Sequence, residues 1–190
     1  FTPAGRAVDQ SVTDALAGTP LVATSTPYLV APGLVLNRSG APYRVFTPFS
    51  RAWREHPAES PAVEPSNLRF VQGVDSEPLP TPPPLSEPSG LPVTEAEAGH
   101  RWAQFLAHGL DDYDDGRDRP DLDATSRLST ALALGTIHPR TLLASLGGRD
   151  DPGAQRFVTE LAWREFYADV TWHHPASVDR DFNPLGIDYA

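Results

Sequence analysis

The stretch from Phe157 to Tyr167 holds the densest set of chemistry-bearing side chains in this 190-residue chain. At 3.6 residues per turn, Glu160, Trp163, Arg164 and Tyr167 share one stripe of a helix. A carboxylate, an indole, a guanidinium and a phenol make poor core material, because each buried polar group needs a partner. They suit a pocket for a flat, hydrogen-bonding ring: the indole stacks and the carboxylate accepts from a ring N–H. Phe157, Leu161 and Val170, flanked by Phe166, can face a core from the other side. Spacing alone leaves a second reading open, a solvated face on which Glu160 and Arg164 pair at i,i+4.

A second group is Thr125-Ser126-Arg127-Leu128-Ser129, at an expected helix start. Hydroxyls and free backbone N–H groups there can cradle a phosphate, or Thr125 or Ser126 can simply cap the helix. Tyr113 and Arg117 sit among seven Asp between positions 111 and 123. Their spacing does not fit a calcium loop, so a solvated acidic loop is expected. His173 and His174 could ligate a metal, but adjacent residues at a helix end point apart, and C-capping is the expectation. Gly-rich phosphate loops, nucleophile elbows and zinc-hydrolase helices are absent from the sequence.

The elements that must position these residues fall into two regions of different grammar. From Pro57 to Pro92 a proline recurs every few residues, which predicts a stiff, extended connector. Before it, the pattern predicts a mixed α/β region. A helix is expected from Val8 to Ala17, with short strands at Leu21–Thr24, Tyr28–Val30 and Tyr43–Phe46. A turn is expected at Asn37–Gly40, and a helix opening at Thr47-Pro48 carries Phe49, Ala52 and Trp53. After the connector all signals are helical. Thr94 and Glu97 form a capping box ahead of Trp102, Phe105 and Leu106. Helices follow from Thr125 to Leu134 and from Pro139, then a long one capped by Asp151-Pro152 and running to about Trp172.

Composition narrows the possible classes. The chain has no Cys, which excludes disulfides, thiol catalysis and Cys-ligated metal sites. No apolar run approaches the roughly 18 residues of a membrane span, and Phe1 does not open a signal-peptide pattern. Met is absent too, so an excised piece of a longer chain is the expectation. All 15 basic residues are Arg, and the net charge of −10 argues, taken alone, against a nucleic-acid surface.

Taken together, the segments resemble the photolyase/cryptochrome family, and within it the class I cyclobutane pyrimidine dimer photolyases of bacteria. Three blocks carry the resemblance in order. Tyr43 to Trp53 is similar to the family's strand-to-helix block near the end of its N-terminal domain. Tyr113 and Arg117 followed by Thr125 to Ser129 resemble the start of the flavin site, and Glu160 to Tyr167 the substrate helix.

The resemblance implies an α/β part followed by an all-α part. A partial Rossmann-like antenna domain would span 1–56, an interdomain linker 57–93, and the first part of a helical FAD-binding domain 94–190. The whole would be an internal fragment, inactive alone. By the family motif, Tyr113, Thr125, Ser126, Arg127, Leu128, Ser129, Phe157 and Arg164 would contact FAD. Phe157 stands where relatives often place a Trp. Arg117, Glu160, Trp163, Arg164 and Tyr167 would meet damaged DNA carrying a flipped-out pyrimidine dimer. Glu160 and Trp163 would be catalytic, one hydrogen-bonding the dimer and the other stacking on it; no metal is implied.

The implied activity is a light-driven carbon–carbon lyase reaction that repairs dimers with an electron from reduced FAD. An antenna pigment of folate or deazaflavin type stays undetermined. A cytoplasmic monomer without membrane contact completes the expectation. The stripe around Trp163 and the turn at 125–129 are then expected to look into one cavity. Two alternatives stay open: a cryptochrome-type blue-light photoreceptor, and a non-enzymatic helical interaction module.

Overall fold

A computed structural model describes residues 2–22, 24, 26–73, 75, 77–81 and 94–183. Seven α-helices occur among them: α1 Pro3–Ala15, α2 Phe46–Glu55, α3 Glu95–His108, α4 Tyr113–Gly116, α5 Ser129–Leu134, α6 Pro139–Ser145 and α7 Pro152–His173. A 3-10 turn, Pro175–Val178, follows α7. No helix among the described residues is long and apolar enough to cross a membrane.

The helical half follows its local signals. Thr94 accepts from the Glu97 N–H at 3.2 Å while Glu97 accepts from the Thr94 N–H at 3.0 Å, closing the expected capping box. Asp151 caps α7 by accepting from the Ala154 N–H at 3.1 Å, with Pro152 as first helical residue. At the far end the His174 N–H bonds the Val170 carbonyl at 2.8 Å, so this His closes the helix. The expected helix from Thr125 begins only at Ser129, and its N-cap is Leu128 with no side-chain bond. Neither Thr125 nor Ser126 caps it. Gly153 lets α7 start where it does: a Cβ there would lie 1.8 Å from the Leu110 carbonyl oxygen.

The expected α/β character is not found. No strand occurs among the described residues, and the only pairing of that kind is an isolated antiparallel bridge between Leu36 and Pro42. The Asn37 turn that closes it is as expected, Asn37 Oδ1 accepting from the Ser39 and Ala41 N–H groups. Prolines at 20, 27, 32 and 42 remove the donors a ladder needs. The Leu29, Val30 and Gly33 N–H groups go to carboxylates on α7 instead of a neighbouring strand. The connector expectation spans 57–93; its described part, 57–73, 75 and 77–81, holds no helix or strand, and 82–93 lie outside the described residues.

Packing joins the two regions. Leu29, Val35, Phe49 and Trp53 belong to the same apolar cluster as Trp102, Phe105, Leu110, Leu132, Phe157, Leu161 and Phe166. α1 contributes no buried residue. The core therefore sits around α7, between the helices that follow the connector and the segment that precedes it.

Candidate functional site

α7 is the spine of the site. Its buried face carries Phe157, Leu161, Phe166 and Val170, as the periodicity predicts, and also two acids, Glu165 and Asp169. The expected polar stripe divides. Glu160, Trp163 and Tyr167 stay together on a partly open side, whereas Arg164 is committed elsewhere. Its guanidinium donates to the Pro27 carbonyl at 3.0 Å and the Leu132 carbonyl at 3.2 Å, and lies 4.3 Å from the centroid of the Tyr28 ring. Burial pulls the Arg164 guanidinium below its ordinary value.

Glu160 forms an ion pair with Arg117, each side chain about three-quarters buried, and not the i,i+4 pair with Arg164 that a solvated face would show. Arg117 is placed by α4, whose Tyr113 packs edge-on against Phe105 at 5.3 Å and against Phe157 at 5.8 Å. Burial pushes the Tyr113 hydroxyl up, partly offset by Arg117 and Arg156. So α4 and α7 bring four expected residues together in two contacts, Tyr113 with Phe157 and Arg117 with Glu160.

Trp163 lies stacked on Phe46, with centroids 3.6 Å apart and planes 6° from parallel. Tyr167 borders the same indole at 5.6 Å and 24°, and is 62% exposed. Phe157 is enclosed by Trp102 at 4.9 Å and Phe105 at 5.6 Å.

The 125–129 turn presents Thr125, Arg127 and Ser129 outward, while Leu128 is sunk in the core. Its bend rests on Arg127, whose φ of 51° lies in the left-handed region. The turn is held by Arg101, which donates to the Ser126 carbonyl at 3.2 Å, and by the Arg127–Asp123 contact at 2.6 Å. Thr125 lines a cleft of about 170 Å³ with Arg101, Gln104 and His108. Glu160, Trp163 and Tyr167 do not line that cleft. The link between the turn's helix and the stripe is Arg164, through the Leu132 carbonyl on α5.

Comparison with known proteins places this architecture. The DNA photolyase family model matches residues 1–66. A deoxyribodipyrimidine photo-lyase of Salmonella typhimurium is 38% identical over 165 residues, covering 78% of this chain and 34% of the relative. One from a strain of Thermus thermophilus is 36% identical over 188 residues, covering 96% of this chain and 41% of the relative. A solved bacterial class III photolyase from Agrobacterium tumefaciens superposes with a TM-score of 0.78 at 29% identity, over 97% of this chain and 42% of that one. Along most of its length the chain is similar to DNA photolyases.

The chain spans 34% and 41% of the length of these two curated relatives. Its site also contains residues that sequence reasoning missed. Glu165, 3% exposed, accepts from the Leu29 N–H at 2.5 Å, the Val30 N–H at 3.0 Å and the Trp53 indole N–H at 2.6 Å. Burial pushes its carboxyl up, and those three bonds pull part of the shift back. Asp169, 1% exposed, accepts from the Gly33 N–H at 2.7 Å. The available signal was position: Glu165 and Asp169 fall four and eight residues after Leu161, on the apolar stripe. Phe46 gave no signal, because its partner lies on α7.

Proposed function

We propose that this chain is part of a light-driven DNA repair enzyme of the class I type, one that splits cyclobutane pyrimidine dimers with reduced FAD. The observation that carries the reading is the partly open face of α7, where the Arg117–Glu160 pair lies one turn from the Trp163 indole. A flipped pyrimidine offers carbonyl acceptors, a ring N–H and a flat face. Arg117 donates, Glu160 accepts from the ring N–H, and Trp163 supplies stacking surface. Tyr167, exposed beside the indole, extends that surface toward the flanking strand.

The residues at the 125–129 turn fit the polar part of FAD. Thr125 and Ser129 bring outward hydroxyls, and Arg127 is 55% exposed in its side chain, so the donor set suits phosphates and a polyol chain. Leu128 is 1% exposed, so its share is a backbone contact. Tyr113 and Phe157 pack against each other at 5.8 Å and would offer the flavin an apolar contact. Arg164 serves by bracing α5 against α7. Bound FAD would supply the light-driven one-electron chemistry that opens the cyclobutane ring. The protein's own share is to bind, orient and exclude water. DNA as substrate goes with a cytoplasmic location.

The test is to purify the protein from its natural reading frame, record its flavin absorbance, and illuminate it with an oligonucleotide carrying one thymine dimer. Light-dependent restoration of intact thymines supports the reading. Flavin without repair points to a blue-light photoreceptor, and absence of flavin points to a helical interaction module; either result overturns it.

A further inference from the structure

Phe46 is the first residue of α2 and lies flat on Trp163, 3.6 Å between centroids. The same phenyl meets Phe166 edge-on at 5.9 Å and 74°, which fixes its tilt. Trp53 follows seven residues later on α2, two helical turns away on the same face. Its indole N–H donates to Glu165 at 2.6 Å, and Glu165 sits two positions after Trp163 on α7. Two fixed points therefore join α2 to α7: a charge-assisted hydrogen bond at one end and a ring stack at the other.

We propose that Phe46 is a positioning residue for Trp163. It backs one side of the indole and leaves the remaining ring surface to receive a nucleobase, while Glu165 and Trp53 set where α2 delivers it. The proposal rests on the reading of Trp163 as the dimer-stacking residue. An indole held by only its own two side-chain torsions must be immobilised when a base stacks on it. A partner already stacked behind it removes much of that cost in advance. Trp163 is half-buried: besides Phe46 it meets Phe166 edge-on at 5.7 Å and Tyr167 as a looser contact at 5.6 Å, so part of the ring stays exposed on the solvent side.

The experiment compares Phe46→Leu, which keeps apolar bulk and removes the ring, with Phe46→Tyr, which keeps the ring. Binding of a thymine-dimer oligonucleotide and of its undamaged counterpart is measured in the dark by fluorescence anisotropy, on the purified protein. Near-ultraviolet circular dichroism reports the stack itself. Phe46→Leu is expected to weaken dimer binding roughly 3- to 10-fold, the worth of one aromatic pair, with undamaged DNA bound as before. Phe46→Tyr should bind as wild type. In a Trp163→Leu background the Phe46→Leu change should add no further loss and no further dichroism change.

An undiminished preference for the dimer in Phe46→Leu overturns the proposal, and so does an equal loss in the Trp163→Leu background. If Phe46→Leu loses its helical signal, Phe46→Met is the second variant, with the same expected loss. A wild-type protein that binds both oligonucleotides equally overturns the repair reading and this proposal together. A discriminating wild type with an undiminished variant overturns this proposal alone.

Discussion

Glu165 carries more of the architecture than any residue named for chemistry. It gathers three donors from two separate places, the Leu29 and Val30 amides and the Trp53 indole. Glu165→Gln keeps the shape but turns an NH₂ group toward donors, so a loss of about 1–3 kcal/mol is expected in denaturant unfolding. The loss should depend on pH. Burial raises the Glu165 carboxyl above its ordinary value, so folding favours its protonated form. That contribution is fully present below the unfolded value of about 4.3 and is lost as pH rises through the raised folded value. The destabilisation by Glu165→Gln is therefore expected to be larger near pH 4 than near pH 8. At the proposed DNA face, Trp163→Ala should cost about 1–3 kcal/mol in dimer binding, the range for one stacked base, read by anisotropy titration.

At the scale of elements, legibility tracked the distance to the partner. The caps of α3 and α7 were readable because Thr94 finds Glu97, and Asp151 finds Ala154, within three residues. The strands expected near Tyr28 and Tyr43 were misread for the opposite reason. Their Val, Leu and Tyr content looks like sheet, yet the Leu29 amide finds its acceptor 136 residues along the chain. The stripe on α7 was legible as a set of residues but not as a set of contacts: periodicity grouped Arg164 with Glu160, and tertiary partners at Pro27 and Arg117 drew them apart. The junction of α7 with the Leu110 turn offers a direct check. Gly153→Ala places a Cβ 1.8 Å from a carbonyl oxygen, and the forced shift should cost about 1–3 kcal/mol, measured as a lower urea midpoint with unchanged slope.

For the whole molecule, the connector expectation suggested two separable parts, yet the apolar cluster includes Leu29, Phe49 and Trp53 alongside Phe105 and Phe157. A cut in the exposed stretch 62–73 should therefore leave both pieces associated, seen as co-elution on size exclusion without denaturant and separation with it. Cofactor retention should be poor at this length. The cleft at Thr125 holds about 170 Å³, against the 300–1,000 Å³ typical of enclosed ligand sites. Equilibrium dialysis of FAD against the 190-residue chain should give weak binding, and tight stoichiometric flavin would contradict this.

The carboxylates of α7 grip backbone N–H groups, not side chains, along residues 29–33. Such a grip accepts many residue types in the gripped stretch but tolerates no change in its spacing. A hybrid assembled from two relatives should accept substitutions there freely, and should fail to assemble when a single residue is inserted between Val30 and Gly33.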